Sequence, residues 1–482
     1  MSEKEKGTNN SRFREIISVL RKHNITHGIS PKKLRLIMED LGPTFVKIGQ
    51  IMALHSDILP KAYCDELMEL CTDARPMPFE EAVSVIDESY GRSWKKVFAS
   101  IEETPIGSAS IAQVHRAVLK SGEEVVVKIQ RKDIYEMMAR DIDFIRKAIK
   151  LMPPISLKGM ADFDLVLDEL WSVTRDEMNF LTEASNIEEF ARRNKDVNFV
   201  QTPVLYQQYT TVHVLVMEYI DGCGIDEKDK LIEDGYDLKE IGSKLVDNYI
   251  KQVMDDGFFH ADPHSGNVKI RDGKIVWIDM GMMGRLTEHD REMITLAIEG
   301  VALNDVGLIL KAVLGLGEFK ERPEQRKLYE DIEGLLLKYG STDMGKINVA
   351  EVMTDLMEVM KENKIMMPHG LTMLARGLTH MEGVLANIAP DINMVEIARA
   401  RLAADFLHNF NFKKELKNTG RSLLKSVRKM IDLPSMTTDL MDEFMKGQSK
   451  VNLDLRVSKD LAFLLRRLVR NIVMGLWVMA LL

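Results

Sequence analysis

The chain has 482 residues, with 65 Lys and Arg against 74 Asp and Glu, a formal net charge of −9 and 45% hydrophobic residues. The acidic balance excludes a wholly basic nucleic-acid coat, and the hydrophobic fraction excludes an intrinsically disordered chain. Three cysteines in so long a chain cannot form a disulfide framework, which indicates a reducing compartment. The length predicts two to four domains at about 100–200 residues each, and the polar first residues give no sign of a secretory signal peptide.

Charge is unevenly distributed along the chain. Residues 411–470 contain fourteen basic and seven acidic side chains, which leaves a net charge near −16 for the rest. The twelve residues 471–482 are free of charge and follow directly behind Arg466, Arg467 and Arg470. A bilayer span needs about 20 apolar residues, so this run is either a buried terminal helix or the start of an incomplete membrane segment. Because basic residues flank the cytoplasmic side of membrane segments, we expect the latter, and a location at the inner, cytoplasmic face of the cell membrane, peripheral or anchored by the C-terminus.

Helical spacing dominates residues 1–100, which predicts a helical N-terminal extension. Apolar residues recur at this spacing up to Leu41, are interrupted by Gly42-Pro43, and resume as far as Met52. The second of these helices contains Lys-Ile-Gly-Gln at 47–50.

Strand signals follow the extension. The valine-rich runs 112–119 and 123–130 are separated by Lys120-Ser121-Gly122, which predicts a β-hairpin. A further strand is expected over 212–220, with helical spacing between it and the hairpin. A small strand-rich lobe is therefore expected over residues 101–220.

The periodicity beyond residue 221 is helical, with one interruption. Asp272-Gly273 lies between two β-rich runs, and an Asp-Gly pair in this setting is a strong hairpin signal. We expect a larger, mainly helical lobe over 221–400 and basic C-terminal helices over 401–470. The predicted fold class is therefore α+β.

Lys128 lies in the apolar run Val-Val-Val-Lys-Ile of the predicted hairpin. A lysine in a strand is most often a solvent-facing member of an alternating pattern. A hairpin lysine that reaches into a cleft can instead hold the phosphates of a nucleotide, provided that a helix supplies a carboxylate to orient it. Glu177 and Glu183, in the following helical stretch, are the candidates for this carboxylate.

The strongest signal is His-Ala-Asp-Pro-His-Ser-Gly-Asn at 260–267. Asp262 and Asn267 are five residues apart, which is the separation of the catalytic aspartate and the magnesium-binding asparagine in a kinase catalytic loop. Asp279 follows twelve residues after Asn267, in Ile-Asp-Met-Gly. Its carboxylate is placed to hold the other magnesium ion of such a site.

Two other interpretations of this segment are open. His260, Asp262 and His264 could form a metal site, since His-x-Asp-x-His offers suitable ligands, or the loop could be polar without a catalytic part. A kinase site explains the order and spacing of five charged or polar residues along the chain, which neither alternative does. These residues are Lys128, Glu183, Asp262, Asn267 and Asp279. We therefore expect a bilobal protein-kinase-like fold with ATP and magnesium as cofactors, in which Lys128, Glu183 and Asp262 act in catalysis.

No G-x-G-x-x-G loop precedes Lys128. Residues 105–115 read Pro-Ile-Gly-Ser-Ala-Ser-Ile-Ala-Gln-Val-His instead. Small side chains still permit a backbone to approach phosphates, although alanine is less permissive than glycine. The nucleotide-binding candidates are Lys128, the loop residues Gly107, Ser108, Ala109 and Ser110, and Glu218 at the end of the strand expected over 212–220.

These residues resemble the UbiB/AarF family of atypical protein-kinase-like proteins, a group linked to ubiquinone biosynthesis. The resemblance covers residues 30–290 and rests on LGPTFVKIGQ, PIGSASIAQVH, VVVKIQ, EMNFLTEASN, HADPHSGN and IDMG, in that order. It implies an N-terminal helix that folds over the active site and blocks the groove where a protein substrate would lie. Lys47 and Gln50 would be the inserted residues of this helix.

The resemblance also implies two ion pairs, Glu177 with Lys47 and Glu183 with Lys128. The family's Glu-x-Asp is Glu-Met-Asn here, with Asn179 in place of the aspartate, and the alanine-rich loop of the family is only partly alanine in Gly-Ser-Ala-Ser. The family's Asp-Phe-Gly is Asp-Met-Gly, which keeps the metal ligand and exchanges one apolar residue for another.

The residues and the resemblance lead to one functional hypothesis and two alternatives. We expect an ATP- and magnesium-binding atypical kinase or ATPase at an anionic membrane surface, which acts on a lipid or isoprenoid small molecule in quinone or other lipid metabolism and has no nucleic-acid partner. The first alternative is a small-molecule kinase of the aminoglycoside or choline type, which lacks the upstream Lys-x-Gly-Gln sequence. The second is a non-catalytic, nucleotide-gated scaffold that handles lipids, which the basic region 411–470 supports.

Overall fold

The structure is a computed structural model that describes residues 3–24, 29–53, 60–70, 76–151, 171, 174–175, 177–319, 321–340, 349–398 and 401. All described residues belong to one compact unit, Met1–Leu402. The predicted basic helices beyond residue 401 and the apolar run 471–482 lie outside the described residues. Within the described ranges, no helix combines the length and the hydropathy needed to cross a membrane.

Four helices form the N-terminal extension: α1 (Glu3–Lys22), α2 (Pro31–Leu41), α3 (Pro43–Met52) and α4 (Lys61–Met68). The predicted break is confirmed, because Gly42 has a φ of 92° that would strain any side chain and Pro43 begins the next helix. A β carbon at Gly49 would overlap the side chains of Met38 and Leu70, so α3 packs closely against its neighbours. The shared apolar core contains Ile16, Ile37, Leu41, Phe45 and Leu67.

The N-terminal lobe contains a five-stranded antiparallel sheet. Its strands are β1 (Phe98–Ile101), β2 (Gly107–Ser108), β3 (Ala112–Leu119), β4 (Glu124–Gln130) and β6 (Val214–Glu218), in the order β1-β3-β4-β6 with β2 beside β3. The predicted hairpin of β3 and β4 is confirmed, with Gly122 at a φ of 107° in its turn. The lobe also contains helices α5 (Phe79–Tyr90), α6 (Ile134–Leu151) and α7 (Phe180–Asn194).

Helix α5 packs against this sheet rather than against the N-terminal helices. Its buried residues Ala82, Val85 and Ile86 share a core with Val125 and Val127 of β4. Residues that helical spacing assigned to the extension therefore belong with the strand-rich lobe.

Strand alternation directs Lys128 away from that core. Val125 and Val127 point into the core beneath α5, whereas Val126 joins the core that contains Phe180 of α7. Because side chains alternate between the faces of a strand, Lys128 lies on the face of Val126. The lysine therefore points towards α7 and not into solvent.

The second lobe is mainly helical and contains two small sheets. Strands β5 (Val200–Gln201), β10 (Lys274–Trp277), β9 (Val268–Arg271) and β7 (Cys223–Gly224) form one sheet in that order, and β8 (Phe258–His260) pairs with β11 (Met283–Arg285). Its helices are α8 (Lys228–Glu233), α9 (Leu238–Lys251), α10 (Glu288–Leu303), α11 (Val306–Leu316), α12 (Gln325–Gly340), α13 (Val349–Glu362) and α14 (His369–Ile388). The predicted α+β, bilobal arrangement is confirmed.

The hairpin predicted at Asp272-Gly273 is also confirmed. Both residues have positive φ, 51° and 72°, in the turn between β9 and β10, as a tight turn with the twist of a hairpin requires. The short strands β7, β8 and β11 were not expected, since two or three residues are too few to show alternation. Strands β8 and β11 are the ones that border the candidate site.

Candidate nucleotide-binding and phosphotransfer site

Three charged side chains meet between the lobes. Lys128 Nζ on β4 donates to both carboxylate oxygens of Glu183 on α7, each at 2.9 Å, and to Oδ2 of Asp279 at 3.0 Å. The ammonium group also lies 5.6 Å from the ring centre of Phe180, over its face. The pairing of Glu183 with Lys128 that the family resemblance implies is therefore present, and Asp279 joins it.

Burial and charge act in opposite directions on these groups. Burial alone would lower the pKa of Lys128, but the charges of Asp279 and Glu183 raise it above its ordinary value. Burial raises the pKa of Glu183 to about 7, against the lowering effect of Lys128. Partial burial would raise the pKa of Asp279, but the charge of Lys128 and a hydrogen bond from the backbone of Gly281 hold it well below its usual range. Lys128 is therefore a fixed positive charge and Asp279 a fixed negative one.

The chain around Asp279 is fixed by hydrogen bonds. Gly281 N–H donates to Asp279 Oδ1 at 2.8 Å, and the side chain of Asn186 on α7 donates to the carbonyl of Met280 at 3.0 Å. A β carbon at Gly281 would lie 3.0 Å from Asp279 Oδ1, which is too close for an ordinary contact. A side chain at this position would therefore crowd the carboxylate of Asp279, which folds back over the backbone of Gly281.

His260 joins the two segments that contain Asp262 and Asp279. The backbone N–H of Asp262 donates to His260 Nδ1 at 3.1 Å, so Nδ1 is unprotonated and Nε2 holds the hydrogen. Nε2 donates to the backbone carbonyl of Asp279 at 2.6 Å. Burial lowers the pKa of His260, which keeps the ring neutral, and it stacks on Trp277 with ring centres 5.1 Å apart. Both ring nitrogens are therefore used to set the relative positions of Asp262 and Asp279.

The same contacts bear on the alternative metal site at His260, Asp262 and His264. Nδ1 of His264 accepts from the backbone N–H of Gly266 at 3.1 Å, as expected of a residue that folds its own loop. Among the described residues, no group of three or more His, Cys, Asp or Glu is arranged to hold a metal ion. The histidines of this segment thus have structural partners.

Asn267 and Asp279 offer the oxygen donors that magnesium prefers. Asn267 Nδ2 donates to the backbone carbonyl of Asp262 at 2.9 Å, which leaves its amide oxygen for a cation. Magnesium commonly takes one or two protein ligands and completes its shell with water and substrate phosphates. The carboxylate of Asp279, in contact with Lys128, and the amide oxygen of Asn267 fit this requirement, so these two residues would hold the ion.

Asp262 has two partners that the sequence did not reveal. Arg376 Nη2 donates to Asp262 Oδ2 at 3.0 Å, and His380 Nε2 lies 3.3 Å from Oδ1 without the geometry of a hydrogen bond. Both belong to α14, in a region where helical spacing alone gave no functional signal. The one signal in the sequence was the spacing of Arg376 and His380, because residues four apart lie on one helix face. Such pairs are usually solvated, so the spacing alone does not indicate a functional site.

A ladder of buried amide side chains supports the catalytic segment from behind. Asn248 Nδ2 donates to Asn194 Oδ1 at 2.7 Å, and Asn248 Oδ1 accepts from Gln252 at 2.8 Å and from Trp277 Nε1 at 3.0 Å. Gln252 Oε1 in turn accepts from the backbone N–H of His260 at 3.0 Å. Gln252 begins a π-helical turn, Gln252–Asp256, and such turns often reposition a side chain at a functional site. The ladder thus connects the end of α7 to the catalytic loop.

We expect Asn248→Leu to destabilise the protein by about 3 kcal/mol or more, because it leaves three buried polar groups without partners at about 1–3 kcal/mol each. Urea unfolding would measure the change. The same substitution at the exposed Asn198 is the control and should shift stability by about 0.5 kcal/mol at most. An Asn248→Leu protein with the wild-type unfolding midpoint would show that the ladder is not needed.

The nucleotide-loop candidates lie in and after β2. Gly107 and Ser108 pair with β3, Ala109 N–H donates to the carbonyl of Ala112 at 2.8 Å, and Ser110 is buried. Arg131 was not singled out from the sequence, yet its guanidinium donates to Ser108 Oγ and to the carbonyl of Ala109, each at 2.9 Å. The loop is therefore held by an arginine that follows β4 directly.

Glu218, the remaining nucleotide-binding candidate, lies at the end of β6. Its carboxylate accepts from Arg271 Nη1 at 2.7 Å and from the backbone N–H of Val204 at 3.1 Å. These partners engage both oxygens of the side chain and fix its orientation.

Lys47 on α3 forms an ion pair with Glu177, as the resemblance implies, and both side chains are nearly buried. Gln50 lies one turn beyond Lys47 and is half-buried. Gln130 donates to the carbonyl of Met178 at 2.9 Å and so ties the segment beside Glu177 to the sheet. Asn179, which replaces the family's aspartate, accepts from Leu181 N–H at 3.1 Å and caps α7. Its side chain is thus used to begin the helix that contains Glu183.

Comparison with known proteins agrees with this geometry. The family model of the ABC1 atypical kinase-like domain matches residues 69–313, and that of the UbiB helical domain matches residues 332–393. The second match covers all of α14 and includes Arg376 and His380.

Two curated relatives and one solved structure show how far the similarity extends. The uncharacterized protein in the hydrogenase 1 5′ region of Clostridium pasteurianum is 36% identical, over 92% of this chain and 85% of that protein. The chloroplastic protein ACTIVITY OF BC1 COMPLEX KINASE 8 of Arabidopsis thaliana is 33% identical, over 79% of this chain and 54% of that protein. The Rv3197–erythromycin complex from Mycobacterium tuberculosis matches with 22% identity and a TM-score of 0.48, over 73% of this chain and 90% of that chain.

The family match covers half of the chain, and the described contacts include the lysine, glutamate and aspartate cluster of a kinase-like nucleotide site. This chain spans only about half of the Arabidopsis relative, so the likeness applies to the shared kinase-like part. The chain belongs to the ABC1 atypical kinase-like family.

Proposed function

We propose that this protein is a magnesium-dependent ATP-binding phosphotransferase or ATPase that acts on a lipid or isoprenoid small molecule rather than on proteins. The observation that supports this most directly is the contact of Lys128 with both Glu183 and Asp279, at 2.9 to 3.0 Å. Phosphoryl transfer depends mainly on positioning and on charge stabilisation, and this cluster supplies both.

Each residue has a distinct part in the proposed reaction. Lys128, oriented by Glu183, is a positive charge for the nucleotide phosphates. Asn267 and Asp279 would hold magnesium, which neutralises charge on the phosphates when bound. Asp262 would accept the proton of the attacking hydroxyl group or water.

The proposed acceptor class rests on the N-terminal helix and on the basic C-terminal region. The buried ion pair of Lys47 with Glu177 joins α3 to the chain just before α7, which supports a helix that restricts access by a protein substrate. The surplus of positive charge at 411–470 supports an anionic membrane surface as the place of action. An isoprenoid quinone or its precursor is the acceptor chemistry that the family resemblance favours.

ATP hydrolysis by the full chain, with and without anionic lipid vesicles, tests the proposal. We expect magnesium-dependent hydrolysis that vesicles stimulate and that Asp262→Asn reduces at least tenfold. Labelled phosphate in the lipid fraction would identify phosphotransfer. A protein that binds ATP and never hydrolyses it, with no effect of Asp262→Asn, would instead favour the nucleotide-gated scaffold.

A further inference from the structure

Helix α14 approaches the catalytic loop unusually closely. A β carbon at Gly377 would overlap Tyr249 Oη and lie 3.1 Å from the backbone carbonyl of His260. A β carbon at Gly370 would lie 2.5 Å from the carbonyl of Arg285 on β11. The two glycines are seven residues apart and thus on one face of the helix. The backbone of α14 therefore lies directly against the segments that contain the catalytic residues.

This approach places Arg376 and His380 on Asp262. Arg376 Nη2 donates to Asp262 Oδ2 at 3.0 Å, and the two side chains are only 16% and 20% exposed. His380, one turn later, lies 3.3 Å from Oδ1. Oδ1 is buried, and among the described residues no group donates a hydrogen bond to it. The carboxylate is therefore fixed through Oδ2, whereas Oδ1 is buried and accepts no hydrogen bond from the described residues.

The two residues of α14 that lie beside Asp262, Arg376 and His380, differ in charge. Burial lowers the pKa of His380, so its ring is neutral near pH 7. The guanidinium group of Arg376 is charged at every physiological pH. A carboxylate that is largely removed from water needs a cation to remain ionised, and Arg376 is the permanent cation in contact with Asp262.

We propose that Arg376 is a positioning residue for phosphotransfer, which fixes the carboxylate of Asp262 through Oδ2 in the orientation needed for proton transfer, with His380 beside it. This inference rests on the proposed function. In the step itself, the attacking oxygen bonds to the γ-phosphorus as the bond to the bridging oxygen of ATP breaks and ADP leaves, and the proton of the attacking hydroxyl group or water passes to the carboxylate of Asp262. The UbiB helical domain thereby completes the active site of the kinase-like domain.

The first test compares Arg376→Ala and Arg376→Lys in the full chain. Calorimetry measures the affinity for ATP with magnesium, and steady-state hydrolysis measures kcat and KM. We expect Arg376→Ala to change the affinity and the KM by about twofold at most and to lower kcat at least tenfold. Arg376→Lys should recover part of kcat, because it keeps the charge without the forked geometry. It also serves as the informative variant if Arg376→Ala does not fold.

The second test places Arg376→Ala in an Asp262→Asn background. If Arg376 acts through Asp262, its removal should change kcat by less than about twofold there. Arg401→Ala is the matched control, because Arg401 also pairs with two carboxylates, Asp247 at 2.7 Å and Asp255 at 2.6 Å, outside the candidate site. We expect this control to keep the wild-type kcat.

Three results would overturn the inference. The first is a wild-type kcat for Arg376→Ala, and the second is an equal loss in the Asp262→Asn background. The third is an equal loss from Arg401→Ala, which would mark Arg376 as a general structural contact. A wild-type protein that neither hydrolyses ATP nor transfers its phosphate to lipid would remove the proposed function as well, so the two failures are distinguishable.

Discussion

Asp279→Asn is expected to lower the magnesium-dependent affinity for ATP at least 100-fold, which is about 2.8 kcal/mol. The amide keeps an oxygen that can accept from Gly281 N–H, so the local chain retains the hydrogen bond seen at 2.8 Å. What the variant loses is the negative charge beside Lys128, and a neutral amide is a much weaker ligand for a hard divalent cation. Calorimetric titration with ATP, in magnesium and in EDTA, measures the difference.

Asp262→Asn is the matched control for this result. It makes the same change of a carboxylate to an amide within the same site, but Asp262 contacts Arg376 and His380 rather than Lys128. We expect its affinity for ATP with magnesium to stay within about threefold of wild type, because the residue is assigned to proton transfer. Unchanged affinity in Asp279→Asn, or an equal loss in Asp262→Asn, would contradict the assignment of Asp279 as the metal ligand.

Local signals in the sequence predicted much of the fold. The Lys-Ser-Gly and Asp-Gly turns and the Gly42-Pro43 break depend on the backbone preferences of a few adjacent residues, and each is present. The spacing of Asp262, Asn267 and Asp279 likewise lies within one short segment, which pattern reasoning can recognise. Features that depend on residues within about twenty positions of one another could therefore be predicted from the sequence.

Contacts between segments that are distant in the sequence could not be predicted in this way. Arg376 is 114 residues from Asp262 along the chain, and an arginine four residues before a histidine on a helix reads as an ordinary solvated pair. The buried ladder of Asn194, Asn248 and Gln252 was missed for a related reason. Amides usually lie at the surface, and these are removed from water by packing between segments that are distant in the sequence.

The orientation of Lys128 could be predicted only in part from the sequence. Alternation along β4 puts it on the face of Val126, but the sequence does not tell which face of the strand meets solvent. That depends on α5, which covers the face of Val125 and Val127, and on α7, which covers the other. The structure shows both faces covered, so the lysine is inside and needs carboxylate partners.

Lys128→Met is expected to destabilise the protein by about 3–5 kcal/mol near pH 8, because it leaves buried charge without its partner. Glu183 is 5% exposed and would face Asp279 without the ammonium group between them. Loss of Lys128 removes the contact that lowers the pKa of Glu183, so this pKa should rise beyond the value of about 7 that burial already produces. Urea unfolding from pH 5 to pH 8 measures the effect.

The sign of the pH dependence follows from proton binding. The folded variant binds a proton at Glu183 below its raised pKa, whereas the unfolded chain binds it only near the ordinary value of 4.5. Wild-type Glu183 already shows this dependence below about pH 7, so the additional gain in stability of the variant, relative to wild type, should appear as the pH falls from 8 to 7. Adding Glu183→Gln to Lys128→Met removes the unpaired charge and should restore most of the stability at pH 8 and abolish this relative dependence. A Lys128→Met protein as stable as wild type at pH 8, or a double variant no more stable than the single one, would show that the three side chains do not form a closed charge cluster.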